Sequence, residues 1–291
     1  MHYTLSTLIR IINMSNIAQT ITDSIIKQLE SGVAPWVKPW NSHGVDAPYN
    51  PVAKRYYNGI NFIQLSMMPG STHNWVTYKQ AQSVGAQVRK GSKGVHVIYF
   101  SPLEVQDRVT NEVKKIPMLK TYTVFNADQV DGLELPAPAE RTMNESIASC
   151  EAFIKAQRAI IKHGGNRAFY VPSADYIQLP ELDQFKSSAD YYATSLHELS
   201  HWTGHESRLN RDFSGRFGNE AYAFEELVAE LGSAMLCAHN KIDGQLQHAS
   251  YIASWLKVLN DDPKNILKAS ALAQKILDYT TKSTNEEAEE A

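Results

Sequence analysis

Two cysteines, Cys150 and Cys237, are all that 291 residues contain, and they are far too distant in sequence for a Cys-x-x-Cys pair. That scarcity excludes a disulfide-stapled secreted scaffold and a thiolate metal framework. Each cysteine sits on a helix-like apolar pattern, which predicts buried free thiols in a reducing compartment. No apolar run approaches the roughly 18 residues that a membrane span needs. The short stretch from Leu8 to Ile12 has no basic region before it and no small-residue cleavage site after it, so it does not read as a signal peptide. Met14-Ser15-Asn16 reads as a native start, with residues 1–13 as an upstream extension. No internal repeat is present, which removes solenoids and arrays. Together these absences predict a cytoplasmic protein with no membrane partner and disfavour a secreted protease.

What is there is ordinary in bulk and uneven in detail. Hydrophobic content of 43% and charged content of 20% are those of a soluble globular protein, and the length suggests two domains. The net charge of −3 conceals a split. Residues 1–135 carry 13 basic against 9 acidic side chains, and residues 136–291 carry 15 against 22. Between Asn50 and Lys120 the balance is 10 basic to 3 acidic. A basic front and an acidic back imply different partners for each.

Apolar periodicity predicts a helix over 17–29 (Ile17, Ile21, Ile25, Leu29) that Gly32 ends, and a short one from Ile60 to Met67. Trp75 to Gln82 reads as another helix, with Thr77 as a cap. Val95 to Phe100 is a strong strand whose antiparallel partner is Lys120 to Phe125, with Gln106 to Lys115 as the hairpin tip. These elements give a small α+β domain over 15–135. The Pro/Ala-rich stretch 136–140 reads as a linker. Thr142 and Glu145 fit a capping box for a helix that runs to His163 and stops at Gly164-Gly165. Two strands, Ala168 to Val171 and Tyr176 to Leu179, come next. Ser187 or Ser188 caps a helix ending at Gly204, and further helices occupy Tyr222–Ala238, about 246–259 and 263–280. Thr284 to Ala291 reads as a disordered acidic tail. The fold class is α+β: a small α+β domain at 15–135, then a mainly helical domain with a small sheet at 141–283.

The chemistry concentrates in His197-Glu198-Leu199-Ser200-His201. Helical residues step by about 100°, so the two imidazoles lie about 40° apart, one turn from each other, with Glu198 beside them. Two neutral imidazoles can hold Zn²⁺, and a carboxylate alongside can accept a proton from an activated water that then attacks a carbonyl. Glu198 would later protonate the leaving amine. A catalytic zinc site needs a third protein ligand. Downstream, Glu226 and Glu230 share a face of an otherwise apolar helix, and two interior carboxylates are costly unless a cation satisfies them. Glu226 is assigned as third ligand and Glu230 as the partner that orients a ligating imidazole, with the swapped assignment open. Glu225 points about 100° away from both. His205 is the competing third ligand, although it follows Gly204 too soon for the HExxHxxGxxH pattern, whose last position is Ser207 here. Tyr222, one turn before Glu226, and His205 are candidates for stabilising an oxyanion. Tyr176 to Leu179 is a candidate strand for holding an extended substrate.

The basic half interleaves aromatic and cationic side chains: Trp36, Lys38, Trp40, Lys54, Arg55, Tyr56, Tyr57, Trp75, Lys79, Arg89, Lys90 and Lys93. A positive groove with aromatic faces is what single-stranded nucleic acid requires. A buried aromatic core under a solvated basic face explains the same composition.

At this point the chain resembles a known family, the ArdC antirestriction proteins of conjugative plasmids, along nearly its whole length from about residue 15. The front strings are Gly-Val-Ala-Pro-Trp-Val-Lys-Pro-Trp (32–40), Tyr-Tyr-Asn-Gly-Ile-Asn (56–61), Trp-Val-Thr-Tyr-Lys-Gln-Ala (75–81) and Arg-Lys-Gly-Ser-Lys-Gly (89–94). The back strings are His-Glu-Leu-Ser-His-Trp-Thr-Gly-His (197–205), Ser-Arg-Leu-Asn-Arg (207–211) and Tyr-Ala-Phe-Glu-Glu-Leu-Val-Ala-Glu (222–230). The resemblance implies a single-stranded-DNA-binding domain in front and a zincin-like metallopeptidase domain behind. It implies protection of incoming conjugative DNA from host restriction, with one zinc ion, or another divalent transition metal, in the back domain. Expected partners are single-stranded DNA and a host protein, either a peptidase substrate or the restriction enzyme. A metal-bound but inactive zincin scaffold that acts by occlusion is the alternative.

Overall fold

The computed structural model describes residues 19–32, 47–68, 70–106, 113–136, 142–213, 219–244 and 251–290. Residues 19–30 form helix α1, and its apolar stripe of Ile21, Ile25 and Leu29 is buried, as the four-residue spacing predicts. The hairpin β1 (Tyr49–Asn50) and β2 (Arg55–Tyr56) follows, then α2 (Gly59–Ser66). Next come β3 (Trp75–Thr77), α3 (Tyr78–Ser83), β4 (Gln87–Val88), β5 (Val95–Gln106), β6 (Val113–Asn126) and β7 (Val130–Asp131).

The back half contains α4 (Met143–Ala156), β8 (Ile160–His163), β9 (Phe169–Val171) and β10 (Tyr176–Leu179). Four helices complete it: α5 (Ser188–Trp202), α6 (Glu220–Asn240), α7 (Ile252–Asp261) and α8 (Asn265–Glu290). Among the described residues no helix is long and apolar enough to cross a membrane.

Two compact units share these elements. One gathers the described residues of 48–57 and 68–136, and the other those of 19–47, 58–67 and 142 onward. Helices α1 and α2 therefore count with the helical unit, although sequence reasoning assigns them to the front domain. The contacts say why. The Gly59 N–H donates to Gln274 Oε1 of α8 at 2.9 Å, and Thr22 Oγ1 donates to the Pro263 carbonyl at 2.7 Å. The linker expected at 136–140 falls almost wholly outside the described residues.

In the front unit β3, β6 and β5 make an antiparallel sheet in that order, and β4 pairs with β7. Its small core is Val76, Ala81, Ala86, Val88 and Val130, with Val52, Phe125 and Leu133 packed against it. Two expectations change here. Trp75 to Thr77 is a strand, paired with Val124 to Asn126, and only then does a helix begin. Thr77 caps it as expected, in a capping box with Gln80. A short apolar run suits either state, and the ladder offered by β6 decides. The β5–β6 ribbon also pairs as far as Gln106 with Val113, so the strands run past their expected ends at Phe100 and Lys120 and reach into the stretch expected as the tip.

In the helical unit Thr142 and Glu145 form the expected capping box, but α4 stops at Ala156. Arg158 takes a left-handed conformation (φ 55°), and Ile160–His163 becomes β8, paired parallel to β10. The β-branched pair Ile160-Ile161 favours that strand over a longer helix. The acidic C-terminal stretch continues α8 to Glu290 instead of being disordered, in keeping with the high helix propensity of its Glu and Ala residues. Cys150 and Cys237 are both free.

Helices α5 and α6 pack together and carry the catalytic-type motif. Leu196 and Leu199 of α5, and Leu227, Val228 and Leu231 of α6, are completely buried. Gly232 permits the closeness: a Cβ there would meet Ile276 Cδ1 at 2.8 Å and Ser200 Oγ at 3.1 Å.

Candidate metal centre

Ser187 caps α5 by accepting from the Asp190 N–H, and Asn219 caps α6 by accepting from the Tyr222 N–H. With both helices anchored, His197 and His201 project from α5, and their rings stand edge to face with centroids 4.9 Å apart. Glu226 comes from α6 to meet them. Its Oε2 is 3.8 Å from His197 Nε2, and its Oε1 is 3.6 Å from His201 Nε2. Among the described residues, His197, His201 and Glu226 are the one group able to offer three metal-ligating atoms within 4.8 Å of one another.

The group fits a cation. Tetrahedral ligands at zinc-like bond lengths stand about 3.4 Å apart, slightly closer than the atoms seen here. Glu226 Oε2 is moreover buried with no hydrogen-bond donor among the described residues. A carboxylate oxygen left dry in this way is costly unless a positive charge meets it.

Behind the donors lies a second layer of carboxylates. Glu230 Oε1 approaches His197 Nδ1 to 3.5 Å, without a hydrogen bond between them. Sequence reasoning missed Glu225. His201 Nδ1 faces Glu225 Oε1 at 3.2 Å, so each imidazole has its own carboxylate at the nitrogen turned away from Glu226. Arg211 completes the arrangement. Its Nε and Nη2 bond the two oxygens of Glu225 at 3.0 and 2.9 Å, Nη1 donates to Thr203 Oγ1, and Nη2 also reaches the Ser200 carbonyl. Gly204 makes room for it, because a Cβ there would lie 2.8 Å from Arg211 Nη2 and closer still to the Phe213 ring. The available signal was the acidic pair Glu225-Glu226 on an apolar helix, together with a second arginine in the Ser-Arg-Leu-Asn-Arg loop.

These contacts set the charges. Burial works against a charged His201, but Glu225 and Glu226 outweigh it and push the imidazole up to about 10. Burial likewise opposes ionised Glu226, yet the neighbouring His201 and His197 hold it down at about 2. Glu225 is also lowered, with His201 and Arg211 overcoming its burial. Glu198 behaves oppositely: burial raises it, the nearby imidazoles oppose, and the backbone N–H of Tyr170 donates to its carboxylate. Tyr222 is raised by burial and by its contacts with Tyr251 and Glu226, its hydroxyl lying 3.4 Å from that of Tyr251.

His205 stays apart from the donor atoms. Its Nδ1 is engaged by Ser207, at 2.8 Å from the hydroxyl, so it serves its own loop. The strand reading also changes. Strand β10 is the middle of the order β8-β10-β9 and is paired on both sides, which leaves no free edge for a substrate. The edge strand at the site is β9, whose Tyr170 N–H contacts Glu198. Arg208 braces this wall: it lies over the Trp202 ring and bonds Asp175, which in turn accepts from the Tyr170 hydroxyl at 2.8 Å.

The residues expected to contact DNA divide. Trp36, Lys38 and Trp40 lie outside the described residues. Trp75 is 3% exposed, and Tyr57 is half-buried, its hydroxyl accepting from Asn50 and donating to the Trp75 carbonyl. Burial leaves Trp75 no open face for stacking, while Tyr57 has its hydroxyl tied to the β3 backbone. Lys54, Arg55, Tyr56, Lys79, Arg89, Lys90 and Lys93 are exposed, with Arg89 paired to Asp131 at 2.9 Å.

Comparison with known proteins places both halves. Residues 15–125 match the family model for the N-terminal domain of anti-restriction factor ArdC, and residues 148–272 match that of a zincin-like metallopeptidase. Two DNA primase TraC proteins of Escherichia coli are 44% and 42% identical over 90% of this chain. The chain spans 19% and 26% of their lengths. The crystal structure of antirestriction ArdC protein from the R388 plasmid in its metal-free form has 42% identity and a TM-score of 0.81, over 92% of this chain and 98% of that one. Its Mn(II)-bound form has 40% identity and a TM-score of 0.75, over 92% and 97%.

Proposed function

Because this chain belongs to the ArdC antirestriction family, we propose that it protects incoming conjugative DNA from host restriction, binding the single strand with its front unit and carrying a zinc peptidase centre behind. The observation that carries the second half is the convergence of His197, His201 and Glu226, with Glu198 beside them. These three would hold a divalent ion, zinc in this reading and the ion named in the Mn(II)-bound relative as an alternative. When bound, such an ion supplies Lewis acidity to a water and to a carbonyl oxygen.

The chain's own residues do the rest. Glu225, hydrogen-bonded to His201 Nδ1, and Glu230, 3.5 Å from His197 Nδ1 and able to close on it, would orient the two imidazoles with Nε2 toward Glu226. Glu198, raised above the usual carboxylate value by burial, accepts a proton from the attacking water and returns it to the departing amide nitrogen. The Tyr222 hydroxyl, next to Glu226, is placed to donate to the developing oxyanion. An extended peptide would add to the free edge of β9. The substrate class is a host protein, with the restriction enzyme itself one such target. The front unit supplies exposed cations for the phosphate backbone.

Glu198→Gln tests the peptidase reading. It should retain stoichiometric metal and lose protection of a restricted plasmid during conjugation. Full protection by a metal-loaded Glu198→Gln protein would instead establish occlusion by a DNA-binding protein with a scaffold metal. A salt-titrated gel shift on single-stranded and duplex oligonucleotides tests the front unit. Preference for duplex, or indifference to salt, would count against it.

A further inference from the structure

With Trp75 buried and Tyr57 half-buried in the front unit, its open aromatic faces lie elsewhere. In the β5–β6 ribbon Val97 is opposite Tyr122, and Tyr99 is opposite Lys120. Opposed residues share a face of a sheet, as do residues two apart in one strand. Tyr99, Lys120 and Tyr122 therefore stand on one face, with the two tyrosines as diagonal neighbours. Tyr99 is 50% exposed and Tyr122 46%, and Lys120 is exposed. The next residues along that face, Val97 and Val124, are buried. The face thus passes from packed core to open rings within a single pair of residues.

We propose that Tyr99 and Tyr122 form a platform on which unpaired bases of a single strand stack, with Lys120 beside both rings meeting the phosphate backbone. The proposal rests on the single-strand reading of the front unit and names the surface that would carry it. Phenol faces accept any base, so the platform would be tolerant of sequence. Its occupant is argued by charge as well. The segment from Asn50 to Lys120 carries 10 basic and 3 acidic residues, which suits a polyanion and not an apolar peptide.

The test uses the full chain and a fluorescent oligo-dT, read by anisotropy across a salt series. The double variant Tyr99→Ala/Tyr122→Ala should bind at least about tenfold more weakly with an unchanged salt slope, because rings are lost and no charge is. Tyr99→Phe/Tyr122→Phe should bind like the parent. Lys120→Ala should flatten the slope by about 0.7. Both tyrosines are exposed, so circular dichroism should be unchanged. If the parent binds oligo-dT and the alanine variant binds it equally, the platform is wrong. It is also overturned if the variant loses duplex binding to the same extent, or if the phenylalanine variant loses as much. Failure of the parent to bind any single strand would overturn the reading of the front unit, and the platform with it.

Discussion

Arg211 grips both carboxylate oxygens of Glu225, at 2.9 and 3.0 Å, in a setting where neither side chain reaches solvent to any extent. The pair stands directly behind His201, so a loop residue governs a metal-ligand candidate that it does not touch.

Removing the guanidinium should therefore do two things. Arg211→Gln leaves Glu225 buried without its partner, which costs about 3–5 kcal/mol. It also frees the His201 ring, and metal affinity should fall about 10–100-fold. Urea unfolding measures the first effect, and competition against a chromophoric chelator the second. A folded Arg211→Gln protein with parental metal affinity would show that Glu225 does not orient His201.

The two acidic residues one turn apart on α6 should separate cleanly. Glu226→Ala removes a donor atom and should abolish stoichiometric metal. Glu230→Ala removes only the group near His197 Nδ1, and should keep the metal with affinity reduced about 10–100-fold. Elemental analysis after dialysis distinguishes them. A chelator should also lower the melting temperature of the parent by roughly 5–10 °C if metal was present at about 100 times its Kd. The Glu226→Ala protein should not respond to it.

Acid should find the Arg208–Asp175 pair. The Arg208 hydrogen bond, opposed in part by burial and aided by the Tyr170 hydroxyl, holds Asp175 below its ordinary value of about 3.8. A lowered folded value means that the contribution is complete above 3.8, and is lost as pH falls through the lower folded value. Asp175→Asn should therefore be less stable than the parent at pH 7, with the gap closing below about pH 4. The left-handed backbone at Asp175 suits asparagine, so the comparison reads the charge. A constant gap down to pH 2 would contradict it.

The tight crossing at Gly232 predicts an overpacking penalty. Gly232→Ala places a methyl at 2.8 Å from Ile276 Cδ1 and 3.1 Å from Ser200 Oγ, so either neighbour must move. A loss of about 1–3 kcal/mol is expected, read by denaturant midpoint at unchanged slope.

Local rules in the sequence reached some of these features and not others. The four-residue stripe of α1, the caps at Thr77, Thr142 and Ser187, and the shared face of His197 and His201 all follow from spacing along a helix, whereas Glu226 comes from a second helix and was reached through the cost of burying two carboxylates. Glu225 did not, because helical angle alone turns it about 100° from Glu226, and only the reach of the side chain toward His201 brings it back. Arg211 depends on a loop whose path no periodicity encodes. Trp75 was hidden from composition for a different reason: composition reports that aromatic and basic residues are mixed, but only the β3–β6 pairing places this ring in the core. Residues 157–163 continue the apolar pattern of α4, and the left-handed turn at Arg158 is invisible to it.

Helices α1 and α2 give the gene an interleaved architecture. Sequence invites a cut at the Pro/Ala stretch after residue 135, yet the helical unit includes residues from 19 and from 58 to 67. A fragment beginning at residue 141 would lose the cover that Ile21, Ile25, Ile60 and Ile63 help to provide, and with it the α2 partner of Gln274 on α8. The two units of this chain are thus not divided by a single cut. Swapping modules between relatives would require exchanging both early helices along with the metal-bearing half.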